Sequence, residues 1–163
     1  YSPLAKQYGL TILKGAEVET EYGHVLVFGV TPALQEAFDF SNIHLHLADV
    51  LAACDAHGAI AAPCHPGRKR VGMDAHLEEF GVPDGVRIVE VLNGGSRENE
   101  DAIAQSMADD LNYLGIGGSD AHIVSQIGRC ATEFNAQIDN EAMLVEALRG
   151  GDFKAIKVDL TAT

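Results

Sequence analysis

Short apolar runs rich in β-branched residues recur along this chain, and segments of helical period separate most of them. Leu10–Val18 and His24–Val30 flank a Glu-rich, Tyr-Gly turn and read as two paired strands. After a mixed connection over 31–43 with a short apolar turn at 33–38, Leu45–His57 carries Leu45, Ala48, Val50, Leu51 and Ala52 at mainly helical spacing, and Gly58 ends it. Ala59–Cys64 follows as a short buried strand, Asp74–Phe80 as a brief helix, Val86–Leu92 as a strand, Glu98–Leu111 as a helix and Tyr113–Gly118 as a strand. Asp139–Leu148 reads as a helix N-capped by Asp139 with Gly150 and Gly151 beyond its end, and Phe153–Val158 as a last strand. Strands alternating with helices predict parallel β–α units. The expected fold is therefore an α/β sheet or barrel whose functional groups sit on loops at the strands' C-terminal ends.

A chain of 163 residues, 47% of them hydrophobic, has enough material for one core, so a single domain over 1–163 is expected. Its 11 basic against 24 acidic residues give a net charge of −13. That balance removes the basic field behind most non-specific binding to nucleic acid or anionic lipid, so a nucleic-acid substrate would need a local basic patch or bound cations. No apolar run approaches the ~20 residues of a membrane span, and no membrane partner is expected. Cys54, Cys64 and Cys130 are odd in number and lack paired spacing, which fits a reducing cytoplasm rather than a disulfide framework. The chain opens Tyr1-Ser2-Pro3 without Met, and is expected to be truncated at its N-terminus.

Polar residues mark four successive strand ends: Glu17, His65, Asn93, and the pair Asp120 and His122. GGSDAH, residues 117–122, comes straight off an apolar strand; its glycines permit a tight turn, and an extended backbone would aim Asp120 and His122 at one centre. A carboxylate and an imidazole suit zinc, manganese or iron; the alternative is an Asp that caps the following turn and a His bonded to it. In AAPCHPGR, residues 61–68, two prolines fix the backbone around His65. Arg68, Lys69 and Arg70 form the one dense basic cluster, either a solvated loop or a clamp for an anion. Glu17 and His24 flank the turn of the first strand pair and can reach one rim, with Glu19 and Glu21 as solvated carboxylates. Glu90, inside a buried strand, needs a partner and is expected to orient a neighbouring ligand. His44 and His46 run into a helical pattern, where positions two apart do not face each other, and His57 and His76 read as surface residues. Strand alternation places Cys64 and His65 on opposite faces, so only one of them is expected at the site and the thiols are expected to be bystanders.

GAEVETEYGH, AAPCHPGR, VEVLNGG and GGSDAH, in this order, resemble the polymerase and histidinol phosphatase (PHP) family over roughly residues 12–134. The resemblance implies a distorted TIM-like (β/α)7 barrel, here without its first strands, that binds up to three divalent ions at its rim. The family's glutamate falls on Glu17, its histidines on His24 and His65, and its closing pair on Asp120 and His122, which makes these five the implied metal ligands. An opening HxH strand and a Thr-Asp-His segment, which the family pattern places earlier, have no counterpart; His44 and His46 come after the glutamate and cannot replace them. The activity so implied is metal-dependent hydrolysis of a phosphoester, a small phosphorylated metabolite, a nucleotide or a nucleic-acid end, by a metal-activated water. Asp120, His122 and Arg68 would be catalytic; Arg68, Lys69, Arg70 and Asn93 would bind substrate. The rival expectations are a non-catalytic PHP-like module and a metal-dependent amidohydrolase. Missing strands would leave a sheet edge that pairing with a second copy of the chain would cover.

Overall fold

A computed structural model describes residues 2–159. Its seven strands form three small sheets. The first holds β1 (Gly15–Thr20), β2 (Gly23–Phe28) and β3 (Ile60–Pro63), with β2 in the centre and both pairings antiparallel. The second is the parallel pair β4 (Ile88–Asn93) and β5 (Leu114–Gly118), and the third the antiparallel pair β6 (Cys130–Phe134) and β7 (Phe153–Lys157). β3 lies beside β4, and β5 beside β6 and β7. The helices are α1 (Ser2–Tyr8), α2 (Pro32–Ala37), α3 (Leu47–Ala56), α4 (Leu77–Phe80), α5 (Glu100–Leu111) and α6 (Glu141–Gly150).

This mixed α/β fold corrects the expected parallel β–α units in strand direction. Only β4 and β5 run parallel, because α5 lies between them in sequence as a crossover; β2 and β3 are antiparallel although α2 and α3 intervene. No closed barrel is found among the described residues, where the three sheets abut without a continuous ladder. The first strand begins at Gly15, later than its apolar run, since Leu10 and Ile12 are exposed and have no neighbouring strand among the described residues to cover them. The helix expected from Asp139 is capped instead by Asn140, whose side chain accepts the Met143 N–H at 2.9 Å. The 31–43 connection contains α2, which Thr31 caps and Pro32 opens.

Two apolar clusters hold the sheets together. The larger joins Val18, Val25 and Val27 of the first sheet to Leu47, Val50 and Cys54 of α3 and to Val89, Val91, Met107 and Ala108 across β4 and α5. The smaller joins Ala62, Ile88, Ile116 and Leu148, with Leu26, Phe28, Phe134 and Phe153 packed against it.

Candidate metal centre and anion pocket

On β1 and β2, Glu17 pairs with Leu26 and Glu19 with His24, so Glu17 and His24 stand on neighbouring strands within reach of each other. His24 Nδ1 lies 2.8 Å from Glu17 Oε1 but off the line of a hydrogen bond. His65, just beyond β3, brings Nε2 to 3.9 Å from the same oxygen, and the two imidazoles meet edge to face with centroids 5.2 Å apart. His24 Nδ1 and His65 Nδ1 are both buried without a hydrogen-bond partner. Such orphaned nitrogens are costly in a protein interior and fit a centre where a cation is the missing partner. The contact with His65 holds the Glu17 carboxyl below its ordinary range against the opposing effect of burial, keeping it ionised.

His65 enters the site through its backbone. Its φ of 35° is in the left-handed region, which costs a non-glycine residue about 1–2 kcal/mol. The Glu90 carboxylate offsets this by accepting the His65 N–H at 2.8 Å, while also accepting Asn93 Nδ2 at 2.8 Å. Glu90 is the buried charge that the sequence pattern left unpartnered, and burial pushes its carboxyl up even against these two donors. Gly118 lies over it because a Cβ there would collide with Glu90 Oε1.

The turn at His65 also overturns the expected separation of Cys64 from the site. Where a continued strand would send the two side chains to opposite faces, Cys64 Sγ lies 3.4 Å from His65 Nε2. Glu17, Cys64 and His65 each offer a donor atom within 4.8 Å of the others.

Asp120 and His122 form the other side of the rim. Asp120 also has a positive φ, 45°. Its Oδ2 accepts Arg68 Nη2 at 2.8 Å, and the same nitrogen donates to Asn93 Oδ1 at 3.2 Å. Burial alone would raise the Asp120 pKa, yet the Arg68 hydrogen bond and charge hold it below its usual value. The His122 ring is 80% exposed and lies 3.7 Å from Asp120 Oδ1, with Nδ1 3.0 Å from the Asp120 carbonyl oxygen. The structure thus brings Glu17, His24 and His65 into contact, places Asp120 near enough to act on the Glu17 carboxyl, and leaves His122 at the solvent edge.

Beside Asp120 opens a cavity of about 720 Å³ whose walls include Arg68, Lys69, Arg97, Asn99, Ile103 and Gln126. Arg97 was not singled out in the sequence; it stands outside the basic cluster and joins it only through the approach of the β4–α5 loop. Arg70 does not line this cavity; its carbonyl accepts from His76 Nε2. Asn93 is buried, with its amide engaged by Glu90, Arg68 and the Gly95 N–H, so it braces Arg68 rather than presenting a free donor. His46 lies at the start of α3 and 3.7 Å from Glu21, apart from the cluster.

Residues 98–153, from the start of α5 into β7, match the PHP-associated (PHP_C) family. Among solved structures, the chain is similar to PsfC from Pseudomonas syringae PB-5123, with 23% identity and a TM-score of 0.71 over 92% of this chain and 61% of that one. It is also similar to a two-domain protein from Bacteroides vulgatus containing a predicted PHP-like metal-dependent phosphoesterase, at 21% identity and TM-score 0.63 over 96% of this chain and 47% of that one. A proposed metal-dependent phosphoesterase from Bifidobacterium adolescentis aligns at 16% identity and TM-score 0.51, over 99% and 82% of the two chains. These likenesses establish a PHP-like fold, and the chain spans about half to three-fifths of the length of the first two structures. No curated protein matches the chain.

Proposed function

We propose that this chain carries the metal-binding rim of a phosphoester hydrolase. The observation behind this reading is the placing of two buried imidazole nitrogens without hydrogen-bond partners around Glu17, near an Asp120 that itself lines a cavity shared by Arg68, Lys69 and Arg97 with Glu98 and Glu100. The likeness to PHP phosphoesterase structures supports the same reading.

Glu17, His24 and His65 would hold one divalent cation, with Asp120 and His122 as ligands on the opposite side. Zinc, manganese and iron all suit this set of carboxylate and imidazole donors, and up to three ions would fill a complete site. Bound cations supply a water of lowered pKa and neutralise charge on the phosphoryl oxygens. Glu90 holds the backbone of His65, so the imidazole meets its target with little reorganisation. Arg68 presents a planar fork already aimed into the cavity by Asn93 and Asp120, and the oxygens of a phosphoester would compete for its N–H groups. Lys69 and Arg97 stand in the cavity wall beside Glu98, Glu100 and Asp120, so the basic groups that would meet an anion are balanced by carboxylates, and bound cations would supply the attraction in a chain of net charge −13. The cavity has room for more than a bare phosphate, consistent with a phosphorylated metabolite or a nucleotide, and Ile103 offers an apolar wall to the organic part.

The test is hydrolysis of p-nitrophenyl phosphate and bis(p-nitrophenyl) phosphate by protein made from its complete reading frame, before and after chelation. The expected outcome is turnover that disappears with the metal and returns on adding manganese or zinc. Turnover that survives exhaustive chelation would refute it.

A further inference from the structure

The metal-binding reading is the premise here, and the residue at issue is Cys64. It stands one position before His65, is 2% exposed, and is neither oxidised nor part of the apolar clusters. Its sulfur faces His65 Nε2 at 3.4 Å. Around a tetrahedral zinc ion, with Zn–S about 2.3 Å and Zn–N about 2.0–2.1 Å, sulfur and nitrogen ligands sit about 3.5 Å apart. The observed spacing is the edge of such a tetrahedron. Glu17 Oε1, 3.9 Å from His65 Nε2, needs to close by a few tenths of an ångström, and its half-exposed side chain is free to do so.

A second observation concerns the same residues. His65 is 4% exposed and its Nδ1 has no hydrogen-bond partner, and His24 Nδ1, also unpartnered, lies against Glu17 Oε1 on the other side. Through Nε2, His65 meets Cys64 and Glu17, so that one donor atom from each of the three lies within 4.8 Å of the others, while its Nδ1 on the far side of the ring is left unpaired.

We propose that Cys64 is a thiolate ligand in this centre, which makes the Glu17 ion site selective for a thiophilic divalent cation such as zinc over harder ions such as manganese or magnesium. On binding, the S–H bond breaks, a sulfur–metal bond forms, and one proton passes to solvent for each ion taken up. No electron is transferred. Soft sulfur donors favour zinc, whereas oxygen-rich sets suit manganese and magnesium.

Cobalt(II) is the probe, added to the full chain after removal of other metals. The expected result is a thiolate-to-cobalt charge-transfer band in the near ultraviolet that is lost in Cys64→Ser and kept in Cys54→Ser and Cys130→Ser. Visible cobalt bands from the histidine and carboxylate ligands persist in Cys64→Ser, and its zinc affinity falls by about tenfold or more while manganese affinity is unchanged. A wild-type cobalt complex without the charge-transfer band, or a band that survives in Cys64→Ser, overturns the proposal and leaves the thiol as a hydrogen-bond donor to His65. The metal-binding reading itself stands in that case, because the visible bands remain. Absence of all cobalt bands in wild type overturns both. If Cys64→Ser fails to fold, zinc-edge X-ray absorption of the wild-type protein decides alone: one sulfur neighbour at about 2.3 Å supports the ligand, and a shell of nitrogen and oxygen only refutes it.

Discussion

Glu17, His24, Cys64 and His65 belong to one antiparallel sheet and its immediate exit, and they crowd together with ring nitrogens unpaired. Asp120 and His122 lie on a loop after β5, where Asp120 is already tied to Arg68 and His122 stands in solvent. The first group is preorganised and lacks a partner; the second has a partner that binding would displace. Affinity for a cation should therefore reside on the first side. Coupling between cation and phosphate should reside on the second, because Arg68 can leave Asp120 for a phosphoryl oxygen.

The strongest challenge to this contrast is a pair of substitutions. His65→Ala is expected to empty the protein of metal and to lower phosphoester turnover by more than about 100-fold. Asp120→Asn should lower turnover comparably while the Glu17 side retains its cation. Metal analysis beside initial rates checks this, and equal metal loss in both variants would erase the distinction. Glu90→Ala comes next. It strips the acceptor from the His65 N–H and from Asn93 Nδ2, so a loss of about 1–3 kcal/mol in a denaturant titration is expected. Metal affinity should fall by about 10-fold or more, because Glu90 positions His65.

Arg68→Ala acts on the other side alone. It should raise KM by about tenfold, leave bound metal unchanged, and let the Asp120 pKa rise toward its ordinary value. Acid provides a gentler probe. Glu17 and Asp120 have carboxyl pKa values depressed by folding, so their contribution to stability is complete above the ordinary carboxylate range. It is lost as pH falls below their reference values of 4.5 and 3.8. Glu90, raised by burial, works in the opposite sense: its contribution is complete in acid and is lost as pH rises through its elevated pKa. Carboxyl NMR titration of the apoprotein should resolve the three, with Glu90 protonating first as pH falls. The smallest effect is expected from Arg70→Ala, whose side chain lies outside the cavity: kinetic constants should stay within about twofold.

Sequence periodicity located most elements, because α3, α5, α6 and the strands around β4 and β5 have apolar patterns that their burial repeats. It misjudged strand direction, since an intervening helix does not oblige the next strand to run parallel when the returning chain pairs with the opposite polarity, as β3 does on β2. β6 went unseen: Cys130–Phe134 carries Thr132 and Glu133 and is only partly buried, too weak an alternation to stand out. At the site, His65 was legible as a polar residue at a strand end and Glu17 and His24 as residues flanking the first turn, although Glu17 lies within β1 rather than at its end. Cys64 was not, because alternation assumes an unbroken strand and the positive φ of His65 breaks it. Nor was Arg97, which reaches the cavity only through tertiary placement.

The division of the rim between the first sheet and the loop after β5 is also a division in time. A hairpin such as β1–β2 closes in about 1–10 μs once its residues are free, and β3 can pair with β2 only after Pro63 is available. At about 5–20 residues per second, the ribosome needs roughly 3–11 s more to deliver Asp120 after His65. For that interval the growing chain holds Glu17, His24, Cys64 and His65 without the opposing carboxylate, and without the partner that Arg68 will later grip. The first ion to settle there would be chosen by these four side chains once Glu90 has followed to fix the His65 backbone, and by the ions at hand during synthesis, before Asp120 and His122 exist.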